Sequence, residues 1–156
     1  ELVTKINEYN DILALWIKKR LQALPEELIQ KLIQSDIQTT KIITFIACMV
    51  TDRLLFELMY EVYRNKVHYG EENITDADLN IFMNDKRDQS EKMAGFSDLT
   101  IRKLKQNYSK YMFETGLISG KTSEKKIEHL YIDTDIRDIL LRNQMEKYYY
   151  ALTGEM

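Results

Sequence analysis

Proline occurs once and glycine five times in the 156 residues. Such scarcity leaves little room for linkers and argues for long regular elements in a mainly helical protein. The one cysteine, Cys48, excludes an internal disulfide. Its place in the apolar run "IITFIACMV" makes it a buried, inert thiol and fits a reducing, cytoplasmic setting. Only two histidines occur, His68 and His129, and neither has a second histidine or a cysteine at ligand spacing, so no metal site is expected. "TDAD" and "DTD" lack the glycine and terminal glutamate of a calcium loop and read as helix caps. A phosphate-cradling glycine loop, a dinucleotide fingerprint and a nucleophile elbow are all missing, so neither catalysis nor a cofactor nor a small-molecule substrate is expected. The longest apolar run is far shorter than the ~20 residues that span a bilayer, and no signal-peptide pattern opens the chain. A net charge of -3 excludes a protein that coats nucleic acid with its whole surface. Any such contact must be local.

What is present is helical periodicity. Leu2, Val3, Ile6, Tyr9, Ile12, Leu13, Trp16 and Ile17 recur at spacings of three and four, predicting a helix over 1–23 with one buried stripe. Pro25 ends it and opens "PEELIQKLIQ", with two glutamates in the first turn. Residues 39–51 are apolar nearly all round and read as a central helix. A helix from Arg53 ends at Gly70, and "GEEN" reads as a loop. Thr75, with Asp76 and Asp78, starts another helix that turns wholly polar at "NDKRDQSEK". Ser97 or Asp98 caps a helix closing at Gly116. "LIS", a turn at Gly120 and "IEHLYI" suggest a two-stranded ribbon, and Thr134 or Asp135 begins a last helix.

The segment "FSDLTIRKLKQNYSKYMFETGLIS" carries the chemistry. At 100° per residue, Ile101, Leu104, Tyr108, Tyr111 and Met112 of helix 98–115 fall within one arc of about 100°. Opposite lie Arg102, Lys103, Gln106, Ser109 and Lys110, with Lys105 at the margin. From 97 to 126, seven Lys or Arg (102, 103, 105, 110, 121, 125, 126) face three carboxylates (98, 114, 124), a surplus of +4 that leaves -7 on the remainder. Such segregation suits a local phosphate-binding face. Helix, turn, cationic helix and ribbon is also the order of a winged helix-turn-helix, with Lys121, Lys125 and Lys126 expected at the ribbon's tip. The expected fold is thus all-α, mainly helical: a helical bundle over 1–70, and over 71–156 a winged helix-turn-helix-like part with a small two-stranded β-ribbon.

The successive patterns "ELVTKINEYNDILALWIKKRLQAL", "LLFELMYEVYRNKV", "ITDADLNIFMNDK" and "LTIRKLKQNYSKYMFETGLI" resemble the BrxA family of the BREX bacteriophage-defence systems, over residues 1–132. The resemblance implies a small, non-enzymatic, cytoplasmic protein with helix-turn-helix-like parts that binds double-stranded DNA and accompanies a methyltransferase and other BREX defence proteins. Family members usually have a further N-terminal helical segment, which this chain is expected to lack. By position, the residues implicated are Arg102, Lys103, Gln106 and Lys110, and Lys18, Lys19 and Arg20 on the first helix. Two other functions suit the same residues: an interaction adaptor within a defence complex, and an RNA-binding helical domain of antitermination type.

Overall fold

The structure is a computed structural model that describes residues 18–121 and 123–156. The stripe expected from Leu2 to Ile17 lies outside them. The chain divides into two compact units, one taking residues up to Phe56 with Ile132–Tyr148, the other Glu57–Tyr131 with Tyr149–Met156. No helix among the described residues is long and apolar enough to cross a membrane.

In the first unit, residues 18–22 are helical. Pro25 then precedes α1 (Glu26–Gln34), whose first-turn Glu26 and Glu27 face the positive helix end. The Asp36 carboxylate accepts the Thr39 N–H at 2.7 Å and starts α2 (Ile37–Thr51) two residues ahead of the sequence expectation. Ile42, Ile43, Phe45, Ile46, Ala47, Cys48 and Met49 are buried along α2, as a stretch without a polar face requires. Burial pushes the Cys48 thiol up against the pull of Arg20, which keeps it protonated. Lys31 of α1 bridges Asp133 and Asp135, each at 3.0 Å, at the start of α8 (Thr134–Arg142).

The expected single last helix is two. Gln144 takes a left-handed conformation (φ 58°), Asn143 turns its amide onto the Ile139 carbonyl at 2.8 Å, and α9 (Glu146–Thr153) begins afresh. No glycine or proline marks the break in the sequence. A side chain folding back on its own helix end does the work instead.

The second unit opens at Glu57, within α3 (Arg53–Leu58), which runs through a π-helical turn (Met59–Tyr63) into α4 (Arg64–His68). A π turn rotates the residues beyond it away from the ordinary helical register. Here it leaves the buried Tyr63 hydroxyl 3.0 Å from the Leu117 carbonyl and 3.1 Å from the Glu128 carbonyl. Burial, reinforced by Glu128, pushes that phenol up, so it remains a donor. His68 donates from Nδ1 to the Gly154 carbonyl at 3.1 Å. At Gly154 a Cβ would come within 2.5 Å of Val67 Cγ1 at φ 78°, so only glycine fits.

After α4 come β1 (Asn73–Thr75), α5 (Asp76–Gln89), α6 (Glu91–Ala94), α7 (Asp98–Thr115), β2 (Ile118–Ser119) and β3 (Glu124–Ile127). The polar run after Phe82 is cut by Ser90, whose hydroxyl accepts the Met93 N–H and caps α6. Ser97 caps α7, and Gly116 at φ 86° closes it. The ribbon is a three-stranded antiparallel sheet of order β1-β3-β2, with Asn73 opposite Lys126, Ile74 opposite Lys125 and Ile118 opposite Ile127. Two expectations are corrected by it. The last residue of "GEEN" and the two after it form a strand, and the second ribbon strand is "EKKI", so "IEHLYI" contributes only Ile127.

Thr75 and Asp78 make a reciprocal capping box at the start of α5. Burial disfavours the Asp78 charge, but the Thr75 N–H (2.7 Å), the Thr75 hydroxyl (2.9 Å) and the Lys66 ammonium (3.2 Å) prevail and hold its carboxyl below the ordinary range. A carboxyl depressed by folding contributes stability above its unfolded pKa of ~3.9, and that contribution is lost as pH falls through the folded value. Asp78→Asn should therefore cost about 1 kcal/mol at pH 7 and flatten the acid limb below about pH 4. Urea unfolding at a series of pH values reads both effects, and equal acid limbs in parent and variant would refute the assignment.

Candidate nucleic-acid interface

α7 is amphipathic about the axis the sequence implies. Ile101, Tyr108, Met112 and Thr115 are buried on one side, while Arg102, Lys103, Gln106 and Lys110 are exposed on the other. Lys105 and Ser109 are half-buried along one flank. Lys105 reaches across to α5 and donates to the Asn80 side-chain oxygen. Among the described residues no ion pair engages Arg102 or Lys103, whereas Lys110 lies 3.8 Å from Glu114, one helical turn on.

Beside that flank is a groove of about 380 Å³, lined by Asp76 and Leu79 of α5, Arg102, Lys105, Gln106 and Ser109 of α7, and Lys125 of β3. Residues alternate faces along a strand. In β3, half-buried Lys125 shares the inward face with buried Ile127, and exposed Glu124 and Lys126 point the other way. Lys125 therefore turns into the groove, and Lys126, 3.9 Å from Glu128, turns away from it. Of the three ribbon lysines expected at the tip, only Lys121 lies in the turn between β2 and β3; the other two are in the strand. Thr75 and Asp78 perform the capping, which leaves Asp76 to line the groove as its one carboxylate. Reading "TDAD" only as caps missed this; Asp76 sits one residue past the N-cap, where a side chain points outward from the helix start.

Lys18, Lys19 and Arg20 belong to the first unit. Lys18 and Lys19 are exposed, and Arg20 is turned inward with its guanidinium 3.3 Å from the Thr51 hydroxyl. The tyrosines of "KYYYAL" are drawn into packing: Tyr148 is buried edge-on against Phe56, with ring centres 5.1 Å apart, and Tyr149 and Tyr150 are half-buried. Among the described residues no three of His, Cys, Asp and Glu are grouped to hold a metal ion.

Three cations from a helix and a strand, an amide and a hydroxyl thus converge on one concavity. Guanidinium and ammonium groups with neutral donors between them bind oxyanions, and a groove rather than a point suits a chain of them.

A protein-family model described as BrxA matches residues 5–144. The BREX protein BrxA of Bacillus cereus (strain H3081.97) is 41% identical over 117 residues, which are 75% of this chain and 58% of that protein. The chain thus spans little more than half the length of that relative. The crystal structure of an uncharacterized protein from Magnetospirillum magneticum superposes with a TM-score of 0.84 at 16% identity, over 98% of this chain and 80% of that one. This last likeness is one of fold alone.

Proposed function

Since the chain belongs to the BrxA family, we propose that it is a non-enzymatic, cytoplasmic accessory protein of a BREX-type phage-defence system that holds duplex DNA and works beside other BREX proteins. α7 enters a groove of the duplex, and the β2–β3 ribbon lies on its backbone as the wing of a winged helix-turn-helix. Arg102, Lys105, Lys125 and Lys121 meet phosphates, with Lys103, Lys110 and Lys126 as outer charges. The observation that carries this is the groove in which Arg102, Lys105 and Lys125 face one another with Gln106 and Ser109. The strand order β1-β3-β2 beside α5 and α7, with the short α6 between them, supports it. So does the charge balance: the cations gather between residues 97 and 126 of a chain that is acidic elsewhere.

A second reading, a protein-interaction adaptor, is favoured by two large side chains left in water, Tyr69 and Tyr131. Salt separates the two. Neutralising about four phosphates gives a log-log slope near -3.6, so duplex affinity should fall about a hundredfold between 50 and 200 mM salt, whereas an apolar interface should barely respond. Fluorescence anisotropy with a labelled duplex at both concentrations measures this. An affinity that shifts less than about threefold is incompatible with phosphate-driven binding. Displacement of the duplex by equimolar RNA would point to the antitermination-type alternative.

A further inference from the structure

Within the proposed mode of duplex binding, two neutral residues, Leu99 and Gln106, stand among the cations of the outer side of α7, with the exposed Phe113 ring two turns beyond Gln106. Leu99 stands in its first turn with 57% of its surface in water, and Gln106 is exposed two turns later. At 100° per residue, Lys105, Ser109 and Arg102 face the groove, Gln106 lines its outer edge with Leu99 in the same column, and Lys110 and Lys103 follow. A strand whose phosphates lie in the groove beside Lys125 would therefore present its base edges to the Gln106 and Leu99 column.

An exposed leucine among arginine and lysines is covered by a polyanion only where that polyanion offers an apolar group. In the major groove the thymine methyl is the apolar group, and a glutamine amide matches the donor and acceptor pair of adenine. Seven residues along a helix span about 10.5 Å, close to three base-pair steps.

We propose that Leu99 and Gln106 are specificity-determining residues that read, respectively, a thymine methyl and an adenine edge about three base pairs apart, while Arg102, Lys105, Ser109 and Lys125 hold the adjoining phosphates. This rests on duplex binding by α7. Lys103 and Lys110 flank the pair as charges and add affinity without discriminating between bases.

Selection from a randomised duplex library with the full chain, its Leu99→Ala variant and its Gln106→Ala variant tests the proposal. Both side chains are exposed, so circular dichroism melting should show the folds unchanged. The parent should enrich a site with adenine and thymine about three positions apart. Gln106→Ala should lose preference for the adenine by about tenfold or more, and Leu99→Ala for the thymine by severalfold; neither removes a charge, so both keep the parent's salt slope, and Leu99→Ala keeps its affinity for bulk duplex. A parent that binds without enriching any sequence, or variants that select the parental site unaltered, overturn the assignment of Leu99 and Gln106 while leaving duplex binding intact. A parent that binds no duplex overturns the DNA-binding role itself.

Discussion

Replacing Arg102, Lys105 and Lys125 together by glutamine should lower affinity for duplex DNA about a hundredfold at 0.15 M salt and reduce the log-log salt slope by nearly three. Each cation that neutralises a phosphate contributes about 0.9 to that slope, which at this salt is about fivefold in affinity. The three are expected to act as a unit because helix and strand bring them to one groove. Glutamine retains much of the length and the hydrogen-bonding capacity, so the change isolates charge. The fold should hold: Arg102 is exposed, and Lys105 gives up one hydrogen bond to Asn80 at a surface position. Anisotropy titrations over a salt series read affinity and slope together, and a melt checks the fold. A triple variant that binds like the parent at every salt would move the interface away from α7. Lys18 and Lys19 on the first unit would then be next to test.

That groove was half legible in the sequence. α7 announced itself because a capping serine and a closing glycine bracket eighteen residues with a continuous apolar stripe, and such a pattern fixes which side chains face out. β1 did not. Three residues cannot display a period, and the strand exists because β3, some fifty positions later, supplies its partners. The sequence pattern points too late for β3, because "IEHLYI" alternates more visibly than "EKKI". Yet the paired strand needs only Ile127 in the core, with its neighbour Lys125 on the same face but at the groove. Register decided where that lysine points, and register depends on partners distant in the chain. The π turn left no sequence trace either, although Tyr63, one of the most completely buried side chains, ties it to the carbonyls on either side of the ribbon.

The polar stretch "NDKRDQSEK" conceals the side chain whose loss should hurt stability most. Lys86 reads as a surface lysine, yet it is buried, with its ammonium 2.9 Å from Glu57 and 2.8 Å from Glu61 and its charge 5.4 Å from the Phe82 ring centre. The helical spacing from Glu57 to Glu61 sets both carboxylates on one side, aimed at α5. Burial alone would drive this lysine towards its neutral form, but Glu61 and Glu57 outweigh it and hold its pKa above the ordinary value. A lysine raised in this way contributes stability that is complete below its unfolded pKa of ~10.4 and fades only as pH climbs through the folded value, so it is constant across neutral pH. Lys86→Ala removes the cation from beside Glu57, whose side chain is only 19% exposed, and opens a cavity there. Breaking one side of a buried pair costs about 3–5 kcal/mol, and the half-exposed Glu61 puts the expected loss near 3. Lys86→Met with Glu57→Leu should recover much of it, because a pair replaced by apolar groups carries no stranded charge. Urea unfolding of Lys86→Met, Glu57→Leu and the double closes the cycle. Strict additivity would mean that Lys86 and Glu57 do not interact, and α5, which carries Asp76, Leu79 and Asn80 to the groove, would have to be anchored by Glu61 and its apolar face.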